Sequence, residues 1–366
     1  MRKQFDGKSK IDIIPLSEKQ TQFRNHYPLN TMLKLENIIG QKAIVQFLQN
    51  AVNSARNGGI IPSVAFDAEA GKGKTHCMEA YKNELVEAMG LEEHQILVYP
   101  SPAQLRNKES SEYMQFVAAI SSGEPYVLLL DEVHELNEKV TVSLQKINRF
   151  IRFVLDKTNE GKSLQYDDDT IVRFNNKENV IICGSNFLYK MGSAFTSRSN
   201  VLQLQDYTEK EIAQILVMKA SAKGIELEPK AIERVSRAGR GNVRFLDRLM
   251  EQLEMHAMVD STPVNEETML HIMKLRGLYP RGLNEHELRI MGTLKEVGAG
   301  QIYSVQQLKV VLNLPAKTFS DCFAFLASPF NSFIQPIGQN VKLTKKGHSY
   351  LSSCAQYGFL FSFPNI

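Results

Sequence analysis

The first sustained rhythm of apolar positions begins after a polar arm of about thirty residues. In KAIVQFLQNAVNSA, Ile44, Phe47, Leu48 and Val52 fall on one face at helical spacing, and Gly58-Gly59 predicts where that helix stops. The short apolar run IIPSVAF then leads through a glycine-rich turn into THCMEAYKNELVEAM. That order predicts a buried strand, a phosphate-sized loop and a helix, the opening of an α/β unit. Three further runs, QILVYP, YVLLLDE and NVIICGS, have strand length and near-continuous hydrophobicity, and helical segments separate the first two. Such alternation predicts a parallel sheet covered on both faces.

Between Phe150 and Lys177 the periodicity fails. DKTNEGKSLQYDDD supplies turn formers between the β-prone stretches FIRFVL and TIVRF, which predicts a β-hairpin insertion. From Asp206 to Arg276 the pattern is helical, with YTEKEIAQILVMKASAKG amphipathic and Gly224 its stop, as expected of a small α-helical lid. From about Gly282 come two or three short helices, then FIQPIGQNVKLTKKG, whose β-prone halves flank a Gly338-Gln339-Asn340 turn. Helices followed by a terminal hairpin predict a winged helix. The expected division is a polar arm over 1–31, a sheet domain over 32–205 with its hairpin near 150–177, a lid over 206–281 and a winged-helix domain over 282–366.

Composition adjusts this picture only locally. With 366 residues, 43% apolar and 23% charged, the chain has the balance of an ordinary folded protein of two or three domains. Its net charge of +3 gives no overall basic field, so any contact with nucleic acid must come from patches. One excess lies at the start, where Arg2, Lys3, Lys8, Lys10, Lys19, Arg24 and Lys34 outnumber Asp6, Asp12 and Glu18; it reads as a solvated tail before it reads as a DNA arm. Cys77, Cys183, Cys322 and Cys354 stand far apart with no CxxC pair, which predicts neither a zinc site nor a disulfide framework and fits a reducing cytoplasm. No apolar signal core and no membrane-length run is present, so no membrane association is expected.

The chemistry concentrates at strand ends. AEAGKGKT, Ala68 to Thr75, nearly matches the P-loop pattern GxxxxGK[ST], with Ala68 in place of the first glycine. In such a loop the backbone around Gly71, Lys72 and Gly73 cradles phosphates, Lys74 reaches the β- and γ-phosphates of ATP, and Thr75 holds Mg²⁺. VLLLDEVHEL ends a buried strand in two carboxylates, which are costly to bury unless a cation or donors await them. Asp131 is placed to bind the metal and Glu132 to orient and deprotonate water. Asn186, closing NVIICGSN, could bond the lytic water or the phosphate, or be a turn residue. Arg198 in SAFTSRSN could reach a neighbouring subunit's phosphate, or be a surface arginine. Arg244, in the first turn of the helix opened by GRGNVRFLDRL, could sense phosphate from the lid or lie on the helix surface.

Taken together and in order, these segments resemble the AAA+ ATPases, and within them the RuvB family. LENIIGQKAIVQFLQNAV is similar to that family's entry segment, and AEAGKGKT, LLLDEVHEL, GSN, TSRSN and GRGNVRFLDRL follow at similar spacing. GLNEHELRIMGTLKEVGAGQIYSVQQL and FIQPIGQNVKLTKKG resemble its winged helix, so the likeness spans about residues 32 to 352. It implies Lys74 and Thr75 as Walker A, Asp131 and Glu132 as Walker B, Asn186 as sensor 1, Arg198 as arginine finger and Arg244 as sensor 2, with Ile39 and Gly40 bordering adenine. There are departures. Ala68, Glu69 and Ala70 stand where the family shows Gly-Pro-Pro, and Asn186 and Ser197-Arg198-Ser199 are closer to clamp loaders. The wing tip lacks the family's arginine, leaving Lys342, Lys345 and Lys346 nearby as the expected DNA contacts, and the hairpin that docks the family's partner differs in sequence.

The resulting expectation is an ATP- and Mg²⁺-dependent motor, assembled as a homo-oligomeric ring or partial ring, that translocates or remodels duplex or branched DNA with a junction-binding or replication partner. A clamp- or helicase-loading switch and a non-hydrolysing DNA-binding scaffold are the alternatives.

Overall fold

The computed structural model describes residues 33–356 apart from 138–140, 160, 169, 260–261, 299–300 and 329–330; the expected N-terminal arm lies outside them. Two compact units emerge. The first holds the described residues up to Met218 together with Gly241–Asp247, and the second holds Lys219–Arg240 and the described residues from Arg248 onward.

In the first unit the chain runs α1 (Lys42–Arg56), β1 (Val64–Asp67), α2 (Lys74–Met89), β2 (Ile96–Tyr99), α3 (Ser111–Ser121), β3 (Tyr126–Leu130), α4 (Val142–Leu155), β4 (Ser163–Gln165), β5 (Ile171–Arg173), β6 (Asn179–Ser185), α5 (Ser193–Arg198) and β7 (Asn200–Gln203), and enters α6 (Glu209–Ala222). The main sheet has the order β2-β3-β6-β1-β7, parallel throughout. Both faces are covered. Tyr126, Leu128 and Leu130 of β3, with Ile181 and Cys183 of β6, pack with α3 and α4, whereas Val127, Leu129, Val180 and Ile182 pack with α1 and α2. This explains why the strands read as unbroken apolar runs: each side chain has a buried face to enter.

Two features of the first unit depart from the sequence expectation. FIRFVL is not a strand but the second half of α4, because Leu144, Ile147, Phe150, Ile151, Val154 and Leu155 recur at helical spacing and are all buried. Thr141 starts that helix, its hydroxyl accepting from Leu144 N at 3.3 Å. The hairpin exists, but its antiparallel strands are the short β4 and β5, paired through Leu164 and Val172. The second departure is β7, an edge strand whose NVLQ carries too little apolar signal to stand out, and which is held by parallel pairing to β1.

The second unit contains α7 (Pro229–Ala238), the greater part of α8 (Arg244–Val259), α9 (Glu266–Leu275), α10 (Glu285–Glu296), β8 (Tyr303–Ser304), α11 (Val305–Leu312), α12 (Ala316–Ala327), β9 (Ile334–Ile337), β10 (Asn340–Leu343) and α13 (Lys345–Gln356). Helix, strand, two helices and a two-stranded wing make the segment from α10 to β10 a winged helix, with its sheet ordered β8-β10-β9. The wing turns through Gly338-Gln339, with φ of +59° at Gly338, the left-handed value that glycine tolerates. The wing is not terminal. Thr344 accepts from Gly347 N at 3.1 Å and starts α13, which buries Tyr350, Leu351 and Cys354 in the winged-helix core.

Candidate active site

Three strand ends of the first unit converge on one place. β1 runs out at Asp67 into the loop Ala68–Gly73, and α2 begins at Lys74. Gly71 and Gly73 have φ of +86° and +84°, so the loop needs glycine at both. Close neighbours add a second reason: a Cβ on Gly71 would collide with the Asn242 side chain, and one on Gly73 with the Tyr207 hydroxyl.

Lys74 is 7% exposed, and its Nζ lies 2.5 Å from Asp131 Oδ1 and 3.5 Å from Glu132 Oε1. Thr75 Oγ1 donates to Asp131 Oδ2 at 3.2 Å, and Glu132 N donates to Asp131 Oδ1 at 2.8 Å. Glu132 itself sits at φ +50°, a left-handed value that costs a non-glycine residue energy. β6 comes close enough that a Cβ on Gly184 would lie 2.7 Å from Asp131 Oδ1. A carboxylate thus occupies the space that only glycine leaves.

This set fits a polyphosphate and a hard divalent cation. Lys74 and the two acids are held together by mutual charge, and the lysine can exchange its carboxylates for phosphate oxygens. Thr75 Oγ1 and Asp131 Oδ2 are adjacent hard oxygens, the ligand type Mg²⁺ prefers. Among the described residues no group of three or more His, Cys, Asp or Glu side chains is arranged for a metal. A cation held by Thr75 and Asp131 would complete its shell with phosphate and water oxygens, as Mg²⁺ usually does at phosphate sites.

The remaining expected residues divide into those at this cluster and those away from it. Lys72 turns aside from the cradle to Asp206 at 2.9 Å and Glu69 at 3.3 Å, and the hydrogen bond to Asp206 is the main cause of its raised pKa. Ile39 and Gly40 are half-buried, with Gly40 at φ +73° and backed by Glu211 and Tyr207. Gln41 and Gln205 exchange side-chain to backbone hydrogen bonds of 2.8 and 3.0 Å, which pins the entry segment. Tyr207 thereby stands against both Gly40 and Gly73, and burial pushes its pKa up. Asn186 follows β6 directly, and its Oδ1 is buried with no hydrogen-bond partner among the described residues.

Arg198, 61% exposed at the end of α5, pairs with Asp156 at 3.2 Å rather than with the Lys74 cluster. Thr158 hydrogen bonds, and after them Arg198, hold the Asp156 carboxyl below its ordinary pKa. Arg244 is exposed at the first residue of α8. Lys342 lies half-buried on β10, while Lys345 and Lys346 are exposed in the first turn of α13, with Lys346 Nζ 5.3 Å from the Phe333 ring centroid.

Sequence reasoning missed Asn242. Its Nδ2 donates to Ala70 O at 2.6 Å, its Oδ1 accepts from Arg244 N at 2.8 Å, and Val243 N donates to Gly71 O at 3.0 Å. The available signal was an asparagine just before a helix, a usual helix-starting residue.

The sheet order, the loop between β1 and α2, the acidic pair after β3 and the C-terminal winged helix define the AAA+ P-loop fold. No family model matches the chain. Its sequence is similar to proteins named Holliday junction branch migration complex subunit RuvB. That of Thermotoga petrophila is 25% identical over 296 residues, covering 79% of this chain and 82% of the relative. That of Kosmotoga olearia is 23% identical over 327 residues, covering 87% and 88%. Among solved structures, the Thermotoga maritima RuvB branch migration motor superposes with a TM-score of 0.57 at 20% identity, covering 87% of this chain and 97% of that one. No helix of the described residues is long and apolar enough to cross a membrane.

Proposed function

We propose that this chain is an ATP-hydrolysing, oligomeric AAA+ motor of the RuvB kind, which translocates along or remodels duplex or branched DNA in the cytoplasm. The observation that carries the reading is the convergence of Lys74, Thr75, Asp131 and Glu132 on one loop in a chain similar to RuvB over most of its length. Residues 32–205 would bind and hydrolyse the nucleotide, 206–281 form the lid, and 282–366 contact DNA.

In this mechanism the backbone of Gly71, Lys72 and Gly73 cradles the phosphates and Ile39–Gly40 borders the base. Lys74 leaves Asp131 and pairs with the β- and γ-phosphate oxygens. Thr75 and Asp131 would hold Mg²⁺, which neutralises charge developing on the phosphates. Glu132, released from Lys74, orients a water and takes its proton. Asn186 bonds that water or the γ-phosphate, Arg244 contacts phosphate from its own chain, and Arg198 serves a neighbouring subunit.

The test is the ATPase rate with no DNA, linear duplex and a four-way junction. DNA-stimulated turnover together with movement of the junction is expected. Absence of turnover under all three conditions would reduce the protein to a scaffold. A loading switch is the second reading, favoured by Asn186 after β6 and by Ser197-Arg198-Ser199. It predicts that DNA stimulates turnover only when a clamp or helicase partner is present.

A further inference from the structure

Each carboxylate oxygen of Glu132 has a close polar neighbour. Oε1 faces Lys74, and Oε2 lies 3.3 Å from Nδ1 of His134. The same nitrogen lies 2.9 Å from Ser185 Oγ, the last residue of β6, whose hydroxyl oxygen accepts from Phe187 N at 2.9 Å. His134 and Ser185 are 7% and 0% exposed, and the imidazole packs edge-on against Phe187 with 5.1 Å between ring centroids. Water therefore has little access to the shared nitrogen.

The contact between Nδ1 and Glu132 is close but not aligned as a hydrogen bond, for among the described residues Glu132 Oε2 is buried with no hydrogen-bond partner. A neutral imidazole carries its proton on one nitrogen, and the bond made at that nitrogen selects which. With the proton on Nδ1, His134 can donate to Ser185 or to Glu132. With the proton on Nε2, Ser185 donates into Nδ1 and the Glu132 carboxylate faces a lone pair. Ser185, at the end of β6, and Glu132 thus compete for the same nitrogen. Asn186, the residue expected at the γ-phosphate, follows Ser185 directly in the chain.

We infer that His134 is a positioning residue for Glu132, its Nδ1–H passing between the Ser185 hydroxyl and the Glu132 carboxylate, so that the end of β6 sets when the carboxylate is aimed at water. This rests on the reading of Glu132 as the base of an ATPase. The proton stays on His134 throughout; what changes is the direction in which it is donated. Sequence alone suggested nothing here, because a histidine in VHEL two residues beyond an acidic pair reads as the start of the next turn.

The experiment uses the full chain and measures kcat, KM for ATP and equilibrium binding of a fluorescent ATP analogue in five proteins: unchanged, Glu132→Gln, His134→Ala, His134→Asn and His134→Gln. An asparagine amide nitrogen reaches the position of Nδ1, and a glutamine nitrogen reaches that of Nε2. His134→Ala and His134→Gln should lose about 10²-fold in kcat, the scale of a misplaced reacting group. Analogue affinity should stay within about threefold, because the interaction acts on the chemical step. His134→Asn should recover kcat to within about tenfold of the unchanged protein. Equal losses in His134→Asn and His134→Gln would mean only packing was disturbed and would overturn the inference. So would an unaffected kcat in His134→Ala when Glu132→Gln is inactive, and in that case the ATPase reading survives. If Glu132→Gln turns over like the unchanged protein, the base assignment fails and the inference with it.

Discussion

Lys74 does two things with one charge. It offsets Asp131 and Glu132 while nearly buried, and it is the group best placed to meet an incoming phosphate. Lys74→Ala should therefore bind ATP poorly, measured as loss of saturable binding of a fluorescent analogue, because phosphate charge would enter the cradle without its buried lysine. Tight binding by that variant would remove the loop from the nucleotide site. Glu132→Gln separates binding from chemistry: the amide keeps the shape but cannot take a proton. Affinity should persist while turnover falls by about 10² to 10⁴. Lys74, Thr75, Asp131 and Glu132 were legible in the sequence because each sits in a short motif joined to a strand. His134, Ser185, Tyr207 and Asn242 were not, because their contacts join positions far apart in the chain, such as Asn242 to Ala70.

Among the elements, the buried parallel strands were legible wherever both faces are covered, since an unbroken apolar run leaves little alternative. α4 was misread because FIRFVL is β-prone when taken alone, and its helical rhythm is plain only from Leu144 onward. β7 and β8 escaped notice for the opposite reason. At four and two residues they depend on a neighbour for pairing rather than on their own pattern. Asn242 makes a prediction at this scale, as it supports the start of α8 and also ties it to the P-loop. Asn242→Ala should cost about 1 kcal/mol of stability, the usual price of a lost helix start, read in urea melts. It should also weaken ATP binding by freeing Ala70 O, whereas a loss of stability with affinity intact would confine Asn242 to capping. The wing and the helix after it carry another. Replacing Lys342, Lys345 and Lys346 together should weaken DNA binding and flatten its dependence on salt by up to about three phosphate contacts. An unchanged salt slope would place the DNA elsewhere.

For the whole molecule, the question is whether one chain holds a complete site. Arg198 is turned onto Asp156, 61% exposed, and takes no part in the cluster around Lys74. If it completes a neighbour's site, Arg198→Ala should bind ATP normally yet hydrolyse it about 10³ to 10⁵ times more slowly, as when other arginine fingers are lost. A surface arginine would give full activity and end the shared-site reading. Mixing supplies the sharper case. Lys74→Ala subunits have a disabled loop but an intact Arg198, and Arg198→Ala subunits have the reverse. In a mixed assembly, any interface that pairs an intact loop with an intact Arg198 should regain turnover, although neither variant works alone. Activity should rise and then fall as the ratio of the two is varied, with mass measurement confirming that both are in the same particle. Mixed particles that stay inactive at every ratio would contradict independent firing of each interface, leaving either a misassigned finger or a ring that fires only when every site is whole. An Arg198→Lys variant then decides between these. Lysine keeps the charge but not the planar fork, so partial recovery relative to alanine would retain position 198 as the finger and assign the silence of the mixtures to concerted firing.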